Sequence, residues 1–190
     1  MEEQITQLTE QVAALEAASV GMGPWLLTAT ALVLFMTIPG LALFYGGLVR
    51  AKNYLSVLMQ CITITGVVTI AWMAIGYALS STGGNAFFGT DFSQALFWAT
   101  PQGDLAGAAF GLTFAIITPA LILGAYAERV KFSFVVVFSV AWSLLVYCPL
   151  AYWVWMQPDG SFLTLLTPGT HPIDYAGGLV VHQSAGVAAL

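Results

Sequence analysis

Charge is what this sequence lacks most. Lys+Arg number 4 and Asp+Glu 9, together 7% of 190 residues, against about 25% in ordinary globular chains. So few charged side chains cannot cover the exterior of a water-soluble fold. Four cationic residues and a net charge of −5 exclude a nucleic-acid-binding surface. Two cysteines exclude a disulfide framework. There is no phosphate loop, dinucleotide fingerprint, nucleophile elbow or metal-spaced Cys/His cluster, so neither a cofactor nor an enzyme is expected. Disorder is excluded because 59% of residues are hydrophobic and mean hydropathy is +0.87, whereas disordered chains are poor in apolar residues.

Long apolar runs are what the sequence has instead. Only segments that satisfy their own backbone hydrogen bonds can cross lipid, and a helical crossing takes about 20 apolar residues. Four runs qualify, at 25–49, 55–79, 105–127 and 132–155. A fifth, 174–190, is truncated where the sequence stops. The expected fold is an all-α polytopic membrane bundle of five spans, with a membrane domain over 25–190. Arg50, Lys52, Arg129 and Lys131 all lie in the first and third connections. Basic loops stay in the cytoplasm, which puts the N-terminus outside.

Residues 1–20 carry Glu2, Glu3, Glu10 and Glu16 and have neither the basic nor the apolar region of a secretory signal. Ile5, Leu8, Val12 and Leu15 repeat at 3-4-3 spacing, which predicts a short amphipathic helix. It either packs on the protein at the interface or serves as a small oligomerisation helix.

His182 lies eight residues beyond Asp174 inside the fifth run, about 12 Å below the helix start. A titratable group at that depth is either a pathway residue or a neutral histidine bonded to a neighbouring helix. Asp174 precedes Tyr175-Ala176-Gly177-Gly178 and suits a cap accepting from the N–H groups of Ala176 and Gly177. The sharper alternative is support for a cation site at the outer mouth. Phe110 and Phe114 share one helix face, as core, as lipid contact or as an aromatic constriction. Trp155 ends the fourth run, as part of the interfacial aromatic belt or as a ring face for a cation. Gly103, Gly107 and Gly111 predict a close helix approach, and Pro39-Gly40 and Thr118-Pro119 predict kinks. Cys61 and Cys148 read as core filler, and His171 as an exposed loop residue.

Three ordered stretches carry a resemblance. Residues 31–50 read ALVLFMTIPGLALFYGGLVR, 114–129 read FAIITPALILGAYAER, and 174–182 read DYAGGLVVH. Together they resemble the ammonium transporter family (Amt/Mep/Rh), on its bacterial Amt side. The resemblance implies an eleven-helix protomer of two inverted halves, assembled as a homotrimer with a pore through each protomer. It implies transport of ammonium or ammonia across the cell inner (plasma) membrane, with a cytosolic nitrogen-regulatory protein as a possible partner. By motif, His182 is similar to the first of the family's paired pore histidines, and Phe110 and Phe114 to its vestibule and gate aromatics. Trp155 is similar to the tryptophan of the outer cation site, and Asp174 to the carboxylate supporting it.

The sequence departs from the family at Tyr152, where a histidine is common, at Leu179, where a small hydroxyl residue is frequent, and at Gln183-Ser184. It also stops half-way, so it reads either as a fragment holding the first inverted half or as a degenerate protein. The second pore histidine would lie beyond Leu190. An ammonium sensor using the same membrane fold is the alternative reading, and a membrane-embedded enzyme subunit is a weaker one.

Overall fold

Uninterrupted apolar sequence leaves the backbone only its own carbonyls to bond, and the chain folds as helices. The computed structural model describes residues 23–81, 83–156, 159–170 and 172–190. The acidic segment 1–20 and His171 lie outside the described residues. Four helices are long and apolar enough to cross a membrane: α1 (Gly23–Leu48), α2 (Ala51–Ser80), α3 (Gln102–Tyr126) and α4 (Phe132–Met156). At 1.5 Å per residue they measure about 37–45 Å, which spans a hydrocarbon core of about 30 Å with room for tilt. A short helix, α5 (Phe162–Leu166), follows in the next connection.

The fifth run departs from expectation. Asp174 leads into a tight turn, Tyr175–Gly177, and the helix, α6, begins at Gly178 (Gly178–Gln183, continued by Ser184–Ala189). Among the described residues α6 is shorter than a membrane crossing, so four spans are seen rather than five.

The two prolines behave differently. At Pro39 the helix breaks: Ile38 is extended, with φ −126° and ψ 111°, and the Ile38–Pro39 bond is cis. At Pro119 the helix continues with helical backbone angles on both sides. Residues 115–120 are all buried. The Thr118 hydroxyl donates to the Phe114 carbonyl at 2.6 Å. Wide, π-type turns interrupt α1 at Met36–Leu41, α2 at Trp72–Gly76, α4 at Ser143–Tyr147 and Tyr152–Met156, and α6 at Gly178–Gln183.

The core lies between α2, α3 and α4. Val57, Cys61, Ile64 and Val68 form one buried face of α2 at helical spacing. They pack with Ala115, Ile116 and Leu123 of α3 and with Val135, Tyr147 and Cys148 of α4. Both cysteines are buried in this core and unpaired. Helix α1 is peripheral, with Trp25, Leu32, Phe35, Leu43 and Phe44 exposed. It touches α3 through Tyr45, whose hydroxyl donates to the Leu121 carbonyl at 2.7 Å. Gly124 permits this, since a Cβ there would lie 2.6 Å from the Tyr45 ring.

The two basic connections meet at one end. Glu128 accepts from the Arg50 backbone N–H at 3.0 Å and from Asn53 Nδ2 at 2.7 Å, and its other oxygen lies 3.6 Å from Arg50 Nε. The Asn53 amide above all, then the Arg50 N–H and the Arg50 and Lys52 charges, hold its carboxyl below the ordinary 4.5. A depressed carboxylate contributes stability above its unfolded pKa and loses it as pH falls through the folded value. The tie between these loops is therefore expected to be intact at pH 7 and lost below about pH 4.5. Limited proteolysis of the α1–α2 and α3–α4 loops checks this: Glu128→Ala should cut readily at pH 7 and lose the pH dependence.

At the opposite end the connections are docked. Three consecutive carbonyls of the α2–α3 connection are each bonded from beyond it. Asn85 O accepts from the Tyr152 hydroxyl at 2.8 Å, Ala86 O from the Phe162 N–H at 2.6 Å, and Phe87 O from Trp153 Nε1 at 2.7 Å. Phe162 stacks on Phe87 and tilts against Trp153, with ring centroids 5.2 Å apart in both pairs. Tyr152, the residue at which the sequence departs from the family, is thus a fully buried strut of this cap.

Candidate functional site

The outer ends of α3 and α4 and the start of α6 bring together four of the five candidates. Phe110 and Phe114, one turn apart on α3, meet edge to face at 4.9 Å and 88°. Phe114 in turn meets Trp155 edge to face at 5.7 Å. The indole Nε1 of Trp155 donates to Asp174 Oδ2 at 2.8 Å, across 19 residues of sequence. The result is a row of three rings ending on a carboxylate. It lines a cleft of about 610 Å³ with Met36, Gly107, Met156 and Gly177.

Asp174 does cap a helix, but not at the expected register. Its Oδ1 accepts from the Leu179 N–H at 2.7 Å and its Oδ2 from the Val180 N–H at 3.4 Å, rather than from Ala176 and Gly177. The reason is the intervening turn, in which Ala176 (φ 52°) and Gly177 (φ 71°) are left-handed. The turn spends three residues before the helix starts, so the free N–H groups of the first turn belong to Leu179 and Val180. Gly177 meets both demands of its place: glycine adopts this φ without strain, and a Cβ would sit 3.0 Å from Val181 Cγ2. Leu179, which brings no hydroxyl, binds Asp174 through its backbone instead.

His182 stands apart from the row. It lies about 6 Å along the axis from Gly178, and its side chain is exposed rather than packed on a neighbouring helix. Of the glycine stripe, only Gly111 shows a close approach: a Cβ there would lie 3.1 Å from Trp72 Cζ2. Gly103 and Gly107 have nothing within 4 Å of a Cβ, and Gly107 opens onto the cleft. No group of three or more His, Cys, Asp or Glu among the described residues could hold a metal ion.

Tyr147 joins the site without having been singled out. Its hydroxyl donates to the Gly111 carbonyl at 3.3 Å, and its ring stands 6.3 Å from Trp155 and 6.2 Å from Trp72. It precedes Trp155 by eight residues, a spacing that keeps two residues near one helix face. That was the available signal. Nothing in sequence flags Met36, which reaches the cleft from the broken turn of α1.

The arrangement can hold a small cation. Ring faces attract positive charge, more strongly where water is excluded, and Asp174 holds the indole by accepting its N–H. The apolar lining offers no anion a partner.

Comparison with known proteins gives this geometry its context. Residues 24–190 match the family model described as Ammonium Transporter Family. The chain is 41% identical over 178 residues to an ammonium transporter of Aquifex aeolicus, covering 90% of this chain and 40% of that protein. It is 40% identical over 173 residues to an ammonium transporter of Bacillus subtilis, covering 84% and 40%. Among solved structures, Candida albicans Mep2 superposes with a TM-score of 0.75 at 31% identity, covering 88% of this chain and 37% of that one. The chain thus spans about 40% of the length of the curated relatives it matches. With four membrane-length helices, an aromatic row anchored on Asp174 and a family match over nearly its whole length, this chain belongs to the Ammonium Transporter Family.

Proposed function

We propose that this chain supplies the outer cation site and the first half of the pore of a transporter for ammonium or ammonia. The observation that carries the proposal is the row Phe110–Phe114–Trp155 tied to Asp174 beside an open apolar cleft. Ammonium is small and singly charged, and ring faces can replace part of its water shell. A bare cation in an apolar passage pays a large desolvation penalty, most of which vanishes when the proton is given up. His182, exposed one turn inside the helix that Asp174 caps, is the group to receive and pass on that proton, since imidazole both donates and accepts. A second histidine facing it would come from a second half. Residues 25–190 form the membrane domain. The working assembly is a homotrimer in the plasma membrane, open to a cytosolic nitrogen-regulatory protein, and it performs no catalysis.

The test is ammonium-evoked current in liposomes holding the full-length gene product. His182→Ala is expected to lower that current at least tenfold while leaving the purified protein's helicity and thermal transition unchanged. An unaltered current removes His182 from the pathway. No saturable current in the unmodified protein removes the proposal.

A further inference from the structure

Apart from Glu128, which is tied to Arg50, the charges of the described residues are sorted by end. Arg50, Lys52, Arg129 and Lys131 occupy the connections at one end, and Asp91, Asp104, Asp159 and Asp174 lie at the other. No lysine or arginine shares the acidic end, so an approaching cation meets an unopposed negative field there. Three of the four carboxylates are engaged. Asp91 is bonded by Ser93 and Gln94, Asp174 by Trp155, Leu179 and Val180, and Asp159 also has a partner.

Asp104 is placed differently. It stands at the N-terminal end of α3 and lines a second cleft of about 500 Å³ with Tyr77 and Gln94. That cleft shares Gly107, Phe110 and Met156 with the aromatic cleft. The two adjoin, with Asp104 at the outer end and Phe110 at the junction, about 9 Å along the helix axis. Among the described residues no side-chain hydrogen bond or ion pair draws the Asp104 carboxylate away from this passage, and Asp104 is exposed. An aspartate in the first turn also interacts with the helix dipole, but that role affects stability and not the capture of a cation.

We propose that Asp104 is a positioning residue that draws small monovalent cations, of the ammonium and methylammonium class, into the passage and toward Phe110. The inference rests on the ammonium reading of the aromatic site. A unit charge about 9 Å from the cation's path changes its local concentration about two- to fivefold at low ionic strength, and the effect fades once the Debye length falls to about 3 Å at 1 M salt.

The experiment measures methylammonium- and ammonium-evoked currents of the full-length protein in liposomes. Asp104→Asn should raise the half-saturating concentration about two- to fivefold at 10 mM salt, with the maximal current unchanged and the difference gone at 1 M. Asp104→Glu should restore the original value. Asp91→Asn, on the same face but outside the cleft, should not change it. A saturable current whose half-saturation ignores Asp104→Asn overturns this inference alone. A fall in maximal current without a shift in half-saturation assigns Asp104 to the helix dipole and also overturns it. No saturable current in the unmodified protein overturns the ammonium reading and this inference with it.

Discussion

Asp174→Asn is expected to destabilise the protein by about 2–4 kcal/mol and to lower ammonium-evoked current, although it changes no volume. The carboxylate accepts three hydrogen bonds, from the Trp155 indole and from the Leu179 and Val180 N–H groups. All three partners are donors. An asparagine brings one oxygen and one NH₂, so in either orientation a donor faces a donor, and the partner left over loses its acceptor. With the amide oxygen in the Oδ1 place the indole and the Val180 N–H both face the NH₂ and Trp155 is no longer held against Phe114; with it in the Oδ2 place the indole keeps its acceptor and the Leu179 N–H loses one. Asp174→Glu keeps the charge and should recover part of the stability but not the ring geometry. Thermal unfolding in detergent reads the first effect and liposome current the second. A thermal transition unchanged to within a degree would remove Asp174 as the anchor.

Gly89→Ala is expected to cost about 3 kcal/mol or more, far above the usual effect of one added methyl in a connection. A Cβ at this position would lie 2.3 Å from the Ala78 carbonyl oxygen and 2.6 Å from that of Ser81. Both are backbone atoms at the end of α2, so no side chain can swing aside. Relief requires the connection to lift away, breaking the bond from the Gly89 N–H to the Leu79 carbonyl at 2.9 Å. It also loosens the three carbonyls that receive Tyr152, Phe162 and Trp153. The buried Tyr152 hydroxyl would then lack a partner, at a further cost. Gly103→Ala, with nothing within 4 Å of its Cβ, serves as the control and should change stability by less than about 0.5 kcal/mol. Equal thermal transitions for the two variants would refute the docked connection.

The spans were legible because hydropathy over 20 residues is a summed property that tertiary packing does not reverse. The candidate residues were legible one at a time, and their roles came from the resemblance. What sequence periodicity missed is geometric. Asp174 was read as a cap, but its partners were placed three residues too early, because left-handed Ala176 has no sequence signal. Pro39 and Pro119 look alike as letters, yet the chain leaves helical angles at Ile38, before the first, and keeps them through the second. Gly103, Gly107 and Gly111 form one stripe in sequence, yet only Gly111 faces a packed ring. The bond between Trp155 and Asp174 spans a connection whose path no local rule specifies.

The wide turns carry a consequence for how this chain tolerates change. A π-type turn stores one residue more than an α turn of similar rise. Helix α4 has such a turn at Ser143–Tyr147, between the buried face near Val135 and Trp155, and a second at Tyr152–Met156 that contains Trp155 itself. The first acts as a slack link. A single residue deleted inside it tightens it to an α turn, and the ends of the helix keep their distance and facing. The same deletion elsewhere in α4 rotates everything beyond it by about 100° and turns Trp155 away from Phe114. Length changes in this helix are therefore absorbed at Ser143–Tyr147 and destructive on either side of it.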